Sequence, residues 1–490
     1  MSISSSWIAR VTGVSVEYEN FNLGKALSLP MRIAVIGQGN SASVYDTTPF
    51  LALSANQVGA AVGYGSPLHL ACRQLFPDNG DGVNGIPVTI YPLEDDDSGV
   101  TAAGAIEAVG QATETVSFVI EIGGIPTGNI AIVSGDSAAT ALGKIKTALN
   151  AVAAMPIIAG TVGAGSLPIT AKWAGASGND IDINIDLAIC AGLTFSKSAM
   201  ATGAANPDVN DALDLIVEKW ETIILNCMNY DDTTTLDAFS TWNEGRWAAD
   251  VKKPCIVANG CVDDFATRTA ISDARKTDRT NFLIESAGSR ELPFCIAARG
   301  LAKDIAVTAN DHPAMNYTGH LTGLDAGDDI DQEDGTTRNA AVLLGASTNR
   351  KVDGFAILQD IVTFYHPDSE GLYPAFRYVC DIIKLMNVVY NVDIVQEAYR
   401  ARPILPDSDP VPVDEAMAIQ PKNIKTTLIN LAESLAKKAI IADLAFTKAN
   451  ISVAFDGNNP KRVNTIFPIK LSGNVEVNDT TIKFGFYLPQ

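Results

Sequence analysis

The amino-acid sequence predicts a multidomain protein of mixed α/β and α+β class, and three observations carry that expectation. From residue 206 onward, short apolar runs alternate with helical stretches at regular spacing, as in a mostly parallel sheet covered on both faces. Residues 99–205 break that pattern, being rich in Ala, Gly and Thr and poor in aromatics. The chain has 490 residues, 47% of them hydrophobic, enough for roughly two to four cores.

Taken in order, Val14, Val16 and Tyr18 alternate with Ser15, Glu17 and Glu19, the period of a half-buried strand. A linker with Gly24 and Pro30 isolates it, so its natural partner is the sheet edge of another subunit. A core strand is expected at 32–36, then a polar loop, a short helix at 67–75, an acidic turn and a strand at 86–93. The run Glu94-Asp-Asp-Asp-Ser-Gly99 reads as a boundary.

Within 99–205, Val116, Phe118, Ile120 and Ile122 alternate as a strand before a Gly123-Gly124 turn. Asp136 or Ser137 can cap a helix with Leu142, Ile145, Leu149 and Val152 on one face. Strands follow near 157–162, 168–173 and 181–187, making a small α+β module inserted into the main domain. Beyond it come strands at 222–227, 255–258 and 281–284, with helices at 236–249, 263–276 and 292–307 between and after them. They should share a sheet with 32–36 and 86–93.

The acidic stretch 325–335 is expected to be a solvated loop. It fails as a calcium loop, because counting from Asp329 the sixth position is Asp334 and the twelfth Ala340, where Gly and Glu are needed. Helices are expected at about 374–400 and 422–442. On the second, Ile424, Leu428, Leu431 and Leu435 form an apolar stripe, with Lys422, Lys425 and Lys437 off it. Strands at 449–455 and 461–470 flank an Asp-Gly-Asn-Asn-Pro turn. The chain closes on 481–488, where Ile482, Phe484, Phe486 and Leu488 alternate with Lys483, Gly485 and Tyr487.

Several chemistries are disfavoured. A net charge of -21 argues against a nucleic-acid partner, which needs a basic face. Met1–Ala9 has no positive region followed by an apolar one, so no secretory leader is expected, and no 18-residue apolar run suggests membrane insertion. Seven cysteines, Cys72, Cys190, Cys227, Cys255, Cys261, Cys295 and Cys380, form no CxxC pair, so no metal site is expected. Buried reduced thiols are the plainer reading, and disulfides between subunits the sharper one.

Gly37-Gln-Gly39-Asn-Ser-Ala42 after strand 32–36 imitates a dinucleotide-binding turn. That turn must open a helix, yet Ser43-Val-Tyr-Asp-Thr-Thr-Pro49 follows, and no acid lies between Asp46 and Asp78 to hold a ribose. A nucleotide-binding α/β enzyme using Gly37–Ala42 remains the alternative from a different class. His69, His312, His320 and His366 sit in no hydrolase-like context, and no catalytic residue or cofactor is expected.

The order of pieces resembles the tail sheath proteins of contractile phages, Mu-like ones especially. The stretches that carry the resemblance are Gly63-Tyr-Gly-Ser-Pro-Leu-His-Leu-Ala71 before Ile86–Leu93, Ala171–Asp182, Gly203–Pro207, Arg338–Thr348 and Ala356–Tyr365. The resemblance implies a subtilisin-like α/β core without protease activity (26–98 and 206–368). It also implies an outward-facing insertion (99–205), a C-terminal sheath domain (369–478) and terminal arms (1–25 and 479–490).

The function it implies is a structural subunit, not an enzyme. It would polymerise with itself in six-fold helical layers around a tail tube and contract to drive the tube through a host envelope. Partners would be the tube, baseplate and tail terminator proteins. The location would be the virion tail, after assembly in the host cytoplasm. Val14, Val16, Tyr18, Ile482, Phe484, Phe486 and Leu488 would form the arms. Lys422, Lys425, Lys437 and Lys438 would face an acidic tube surface in the extended state. The sheath of a pyocin-like or type VI-like injection system is the alternative within this class.

Overall fold

The computed structural model describes residues 25–78, 80–410 and 418–486. These fall into two compact units. The larger spans Leu29–Met386 and takes in 473–486, and the smaller combines 25–28 with Asn387–Ser472.

The larger unit is built on a six-stranded sheet. Across it lie Asn281–Glu285, Ile256–Cys261, Ile223–Asn226, Ile33–Gln38, Val88–Leu93 and Phe50–Ala52. The first five run parallel, in a register that pairs Val35 with Leu225 and Ile90, and the short last strand is antiparallel. These five strands are buried along their whole length, as apolar runs covered on both faces must be.

One face carries helices Pro67–Leu75 and Pro293–Gly300. Against the other, Phe239 of helix Thr233–Arg246 packs with Ala34, Ile36, Ile224 and Val257. Three polar side chains inside the sheet pair with one another. Asn226 donates to Asn259 at 2.9 Å and Asn259 to Asn281 at 3.3 Å, a ladder across three strands.

The sheet leaves no room at Gly260, where a Cβ would sit 1.6 Å from the Pro293 carbonyl oxygen. That oxygen belongs to the backbone and cannot rotate away. Gly260→Ala should therefore cost about 3 kcal/mol through forced separation of helix and strand. Chemical denaturation would show it as a lower midpoint with unchanged slope.

Residues 101–201 form their own antiparallel sheet, in the order Leu193–Ala201, Thr101–Gly110, Ser166–Ala174, Ile157–Ala159. Helix Ala138–Ala151 covers it, with Ser137 as its cap and Leu142, Ile145 and Leu149 buried. In the smaller unit, helix Pro421–Lys437 buries Ile424, Leu428, Leu431 and Leu435, the expected stripe. It stops short of 442 because Lys438 ends it and Ala439 adopts a positive φ of 55°, after which Ile441–Ala442 pairs with Lys470–Leu471. The hairpin Ser452–Phe455/Val463–Ile466 is a sheet of only two strands.

Several elements depart from expectation: the alternating run 116–122 breaks into Val116–Phe118 and Glu121–Ile122, in different sheets, and the strand expected from 449 begins at Ser452, after helix Leu444–Asn450. Residues 54–62, read as loop, hold helix Ala55–Val62 with Ser54 as its cap. The helix from Pro293 runs on to Asp311 through a π turn at Leu301–Ile305. Residues 481–486 form no ladder among the described residues, and Val14, Val16, Tyr18 and Leu488 lie outside them.

Candidate functional site

In an open parallel sheet, ligands bind beyond the carboxyl ends of the strands. Here that end is filled by the chain itself. Gln38, at the end of its strand, donates to Asp95 and to the Ala174 carbonyl. Ser41 N donates to the Lys172 carbonyl at 2.8 Å. Asn229 donates to Asp180 at 3.0 Å, and Asn206 to Asp232 at 2.8 Å. Lys172, Ala174 and Asp180 all come from the segment around the strand Ser166–Ala174, so the inserted module caps the crevice.

The Gly37–Ala42 turn is filled in the same way. A Cβ on Gly39 would lie 2.4 Å from the Tyr45 ring, whose hydroxyl accepts from Gly39 N at 3.2 Å and donates to the Leu93 carbonyl at 2.9 Å. The next helix begins only at Ala55, so the turn does not open a helix as the dinucleotide fingerprint requires. The glycine serves packing against Tyr45.

His69 Nδ1 accepts from Gly65 N at 3.1 Å, and burial, with Arg73 and Lys172 nearby, pushes its pKa down to about 4. His366 Nδ1 lies 2.7 Å from the Phe364 carbonyl and Nε2 3.2 Å from Asp273. Both rings hold structure together. Among the described residues no group of three His, Cys, Asp or Glu side chains is placed to hold a metal ion.

The acidic stretch 325–335 is solvated as the sequence suggested, with Asp328, Asp329, Asp331 and Asp334 exposed, yet several of its acids hold partners. Asp329 pairs with Lys351 at 2.8 Å, and Asp334 caps helix Gly335–Leu343. Glu333 receives both terminal nitrogens of Arg268, one at 2.7 Å. Arg268 is fully buried and also lies 4.0 Å from the buried Glu285 carboxylate. The acids thus neutralise an interior cation that the sequence did not reveal.

All seven cysteines are free and buried. Burial pushes the thiols of Cys72, Cys227, Cys255, Cys261, Cys295 and Cys380 upward, and Cys190 is raised by burial and by Glu114 and Asp136. Cross-linking between subunits would require the fold to open around the residue concerned.

The remaining candidates lie on the surface. Ile482, Phe484 and Phe486 are 82%, 84% and 88% exposed, an apolar row with nothing packed over it among the described residues. Lys422 and Lys437 are exposed, and Lys425 is half-buried. Lys438 turns away to donate to Ser28 at 3.2 Å, so it does not share their face. No helix among the described residues is long and apolar enough to cross a membrane.

No family model matches the chain. A curated tail sheath protein of the Mu-like prophage FluMu of Haemophilus influenzae is 24% identical, over 99% of this chain and all of that one. Among solved structures, a sheath tail protein from Listeria innocua aligns with 92% of this chain and 94% of its own at 12% identity and a TM-score of 0.49. The contracted helical sheath of the anti-feeding prophage aligns with 98% and 99% at 10% identity and a TM-score of 0.46. The full-length sequence match makes this chain a relative of the Mu-like phage tail sheath proteins.

Proposed function

We propose that this chain is the structural subunit of a contractile phage tail sheath, polymerising helically around a tail tube and shortening to drive that tube through the host envelope. The observation that carries the reading is the end-to-end match to a Mu-like tail sheath protein. Two features of the fold support it. The sheet end where an α/β enzyme would hold substrate is closed by the protein's own side chains. Ile482, Phe484 and Phe486 also form an exposed apolar row that has no strand partner among the described residues.

Strand addition uses both features of the surface. The two-stranded hairpin Ser452–Phe455/Val463–Ile466 has two outer edges without a neighbouring strand among the described residues. A terminal arm from another copy can add there, tied by main-chain hydrogen bonds that tolerate rotation of the bodies it links. In this reading 1–25 and 479–490 are the arms and 99–205 the outward-facing module. The exposed Lys422 and Lys437, with Lys425, meet the tube. Baseplate and terminator proteins close the ends of the polymer in the virion tail.

The test is a paired substitution in the arm. Phe484→Ser with Phe486→Ser should abolish sedimentable polymer while leaving the melting temperature of the free subunit unchanged, because both rings are exposed. Polymer that forms as readily with both serines in place would count against strand addition by this arm.

A further inference from the structure

The last strand of the smaller unit, Lys470–Leu471, pairs with Ile441–Ala442, and Ser472 N donates to the Ile440 carbonyl at 3.1 Å. Two residues later the bonding changes hands. Asn474 accepts from Lys384 Nζ and donates to the Ala314 carbonyl at 3.1 Å. Lys384 is fully buried and also held by Asp381 at 2.8 Å, so it is a fixed anchor. Two residues on, Asn316 donates to both oxygens of Glu476, at 3.1 and 3.0 Å. Between the two sets of bonds stands only Gly473, which is exposed and has open space where a Cβ would be.

The side chains along this stretch alternate. Asn474 and Glu476 are tied to the larger unit, whereas Val475 and Val477 are 84% and 87% exposed. After Glu476, among the described residues, the only side-chain bond before the apolar row is a local one, from Thr480 to Asn478 at 3.2 Å.

We propose that the C-terminal arm is rooted mechanically in the larger α/β unit, at Asn474 and Glu476, with Gly473 as the joint between that root and the strand Lys470–Leu471. The arm's pivot then lies just beyond Glu476. Residues 477–486 are the swinging part, reaching on the order of 33 Å when extended. A pull on the arm is delivered through Asn474 and Lys384 to the first turns of the helix Val379–Tyr399, within the larger unit. The role of this stretch as the root of an inter-subunit arm rests on the sheath reading; the anchorage itself does not.

The test reads the free full-length subunit, kept dilute so that no polymer forms. A nitroxide is attached through Val475→Cys or through Thr481→Cys, the native thiols being buried. The label at 475 should tumble several-fold more slowly than the label at 481. Adding Asn316→Ala and Asn474→Ala should bring the label at 475 to the mobility seen at 481, with an unchanged melting curve showing that the fold survives. Equal mobility at both sites in the parent chain would overturn the anchorage. So would a label at 475 that stays slow after both alanine substitutions. If the mobilities come out as expected and the protein never polymerises, the sheath reading fails and the anchorage stands.

Discussion

Replacing Arg268 with alanine is expected to lower the unfolding free energy by about 3–5 kcal/mol, among the largest single-residue effects in the protein. The guanidinium is fully buried, holds Glu333 with two hydrogen bonds and lies 4.0 Å from Glu285. Burial pushes the Glu285 carboxyl upward, and Arg268 is the main influence opposing that shift. Removing the arginine leaves two carboxylates facing a hole with no cation. Arg268→Met keeps most of the volume and isolates the charge effect. With its opposing charge gone, Glu285 should take up a proton, so this variant should regain stability as the pH falls. Adding Glu285→Gln to Arg268→Met should recover part of the loss, whereas independent sites would add their costs. Denaturant unfolding of the two single variants and the double variant measures the coupling.

Stability should also fall by on the order of 3 kcal/mol between pH 5 and pH 8. Three carboxyls titrate high in the folded chain. Glu291 is pushed to about 7 by burial and by the Glu121 charge. Asp180 is pushed to about 7 by burial and by the charges of Asp231 and Asp263. Asp304 is pushed to about 6, mainly by burial. In an unfolded chain all three titrate near 4.

The folded state therefore binds more protons between about pH 4 and pH 7. Stability is fully present below that window and lost as the pH rises through the folded values. Asp180 keeps partial access to water, so its share is smaller than that of the buried Glu291. The net charge of -21 acts in the same direction through self-repulsion. Thermal unfolding across this range should show a falling melting temperature, and Glu291→Gln should flatten the slope. A stability maximum above pH 7 would show that these groups do not dominate.

The core was legible because its strands are apolar runs buried on both faces. Ile33–Gln38, Ile223–Asn226 and Asn281–Glu285 each announce themselves without help from the rest of the chain. The helix 138–151 was legible through its cap and stripe. Helix Ala55–Val62 was missed, although its signal was present. Ser54 accepts from Gln57 N, and the Gln57 side chain reaches back to Leu53 N at 2.7 Å, close to a capping box.

The pairing of the acidic stretch with Arg268 was not legible, because the partners are 65 residues apart and only the fold brings them together. Gly39 misled for a related reason. Its glycine is required by Tyr45, and the sequence states the need for glycine without naming what fills the space. The alternation in 481–488 likewise says that a strand seeks a partner, and cannot say which chain supplies one.

The most direct measurement is negative-stain electron microscopy of the purified full-length protein. Assembly through strand exchange between identical copies should give hollow, helically striated tubes. A dispersed monomer or a small closed oligomer, persisting when tail tube is added, would contradict it.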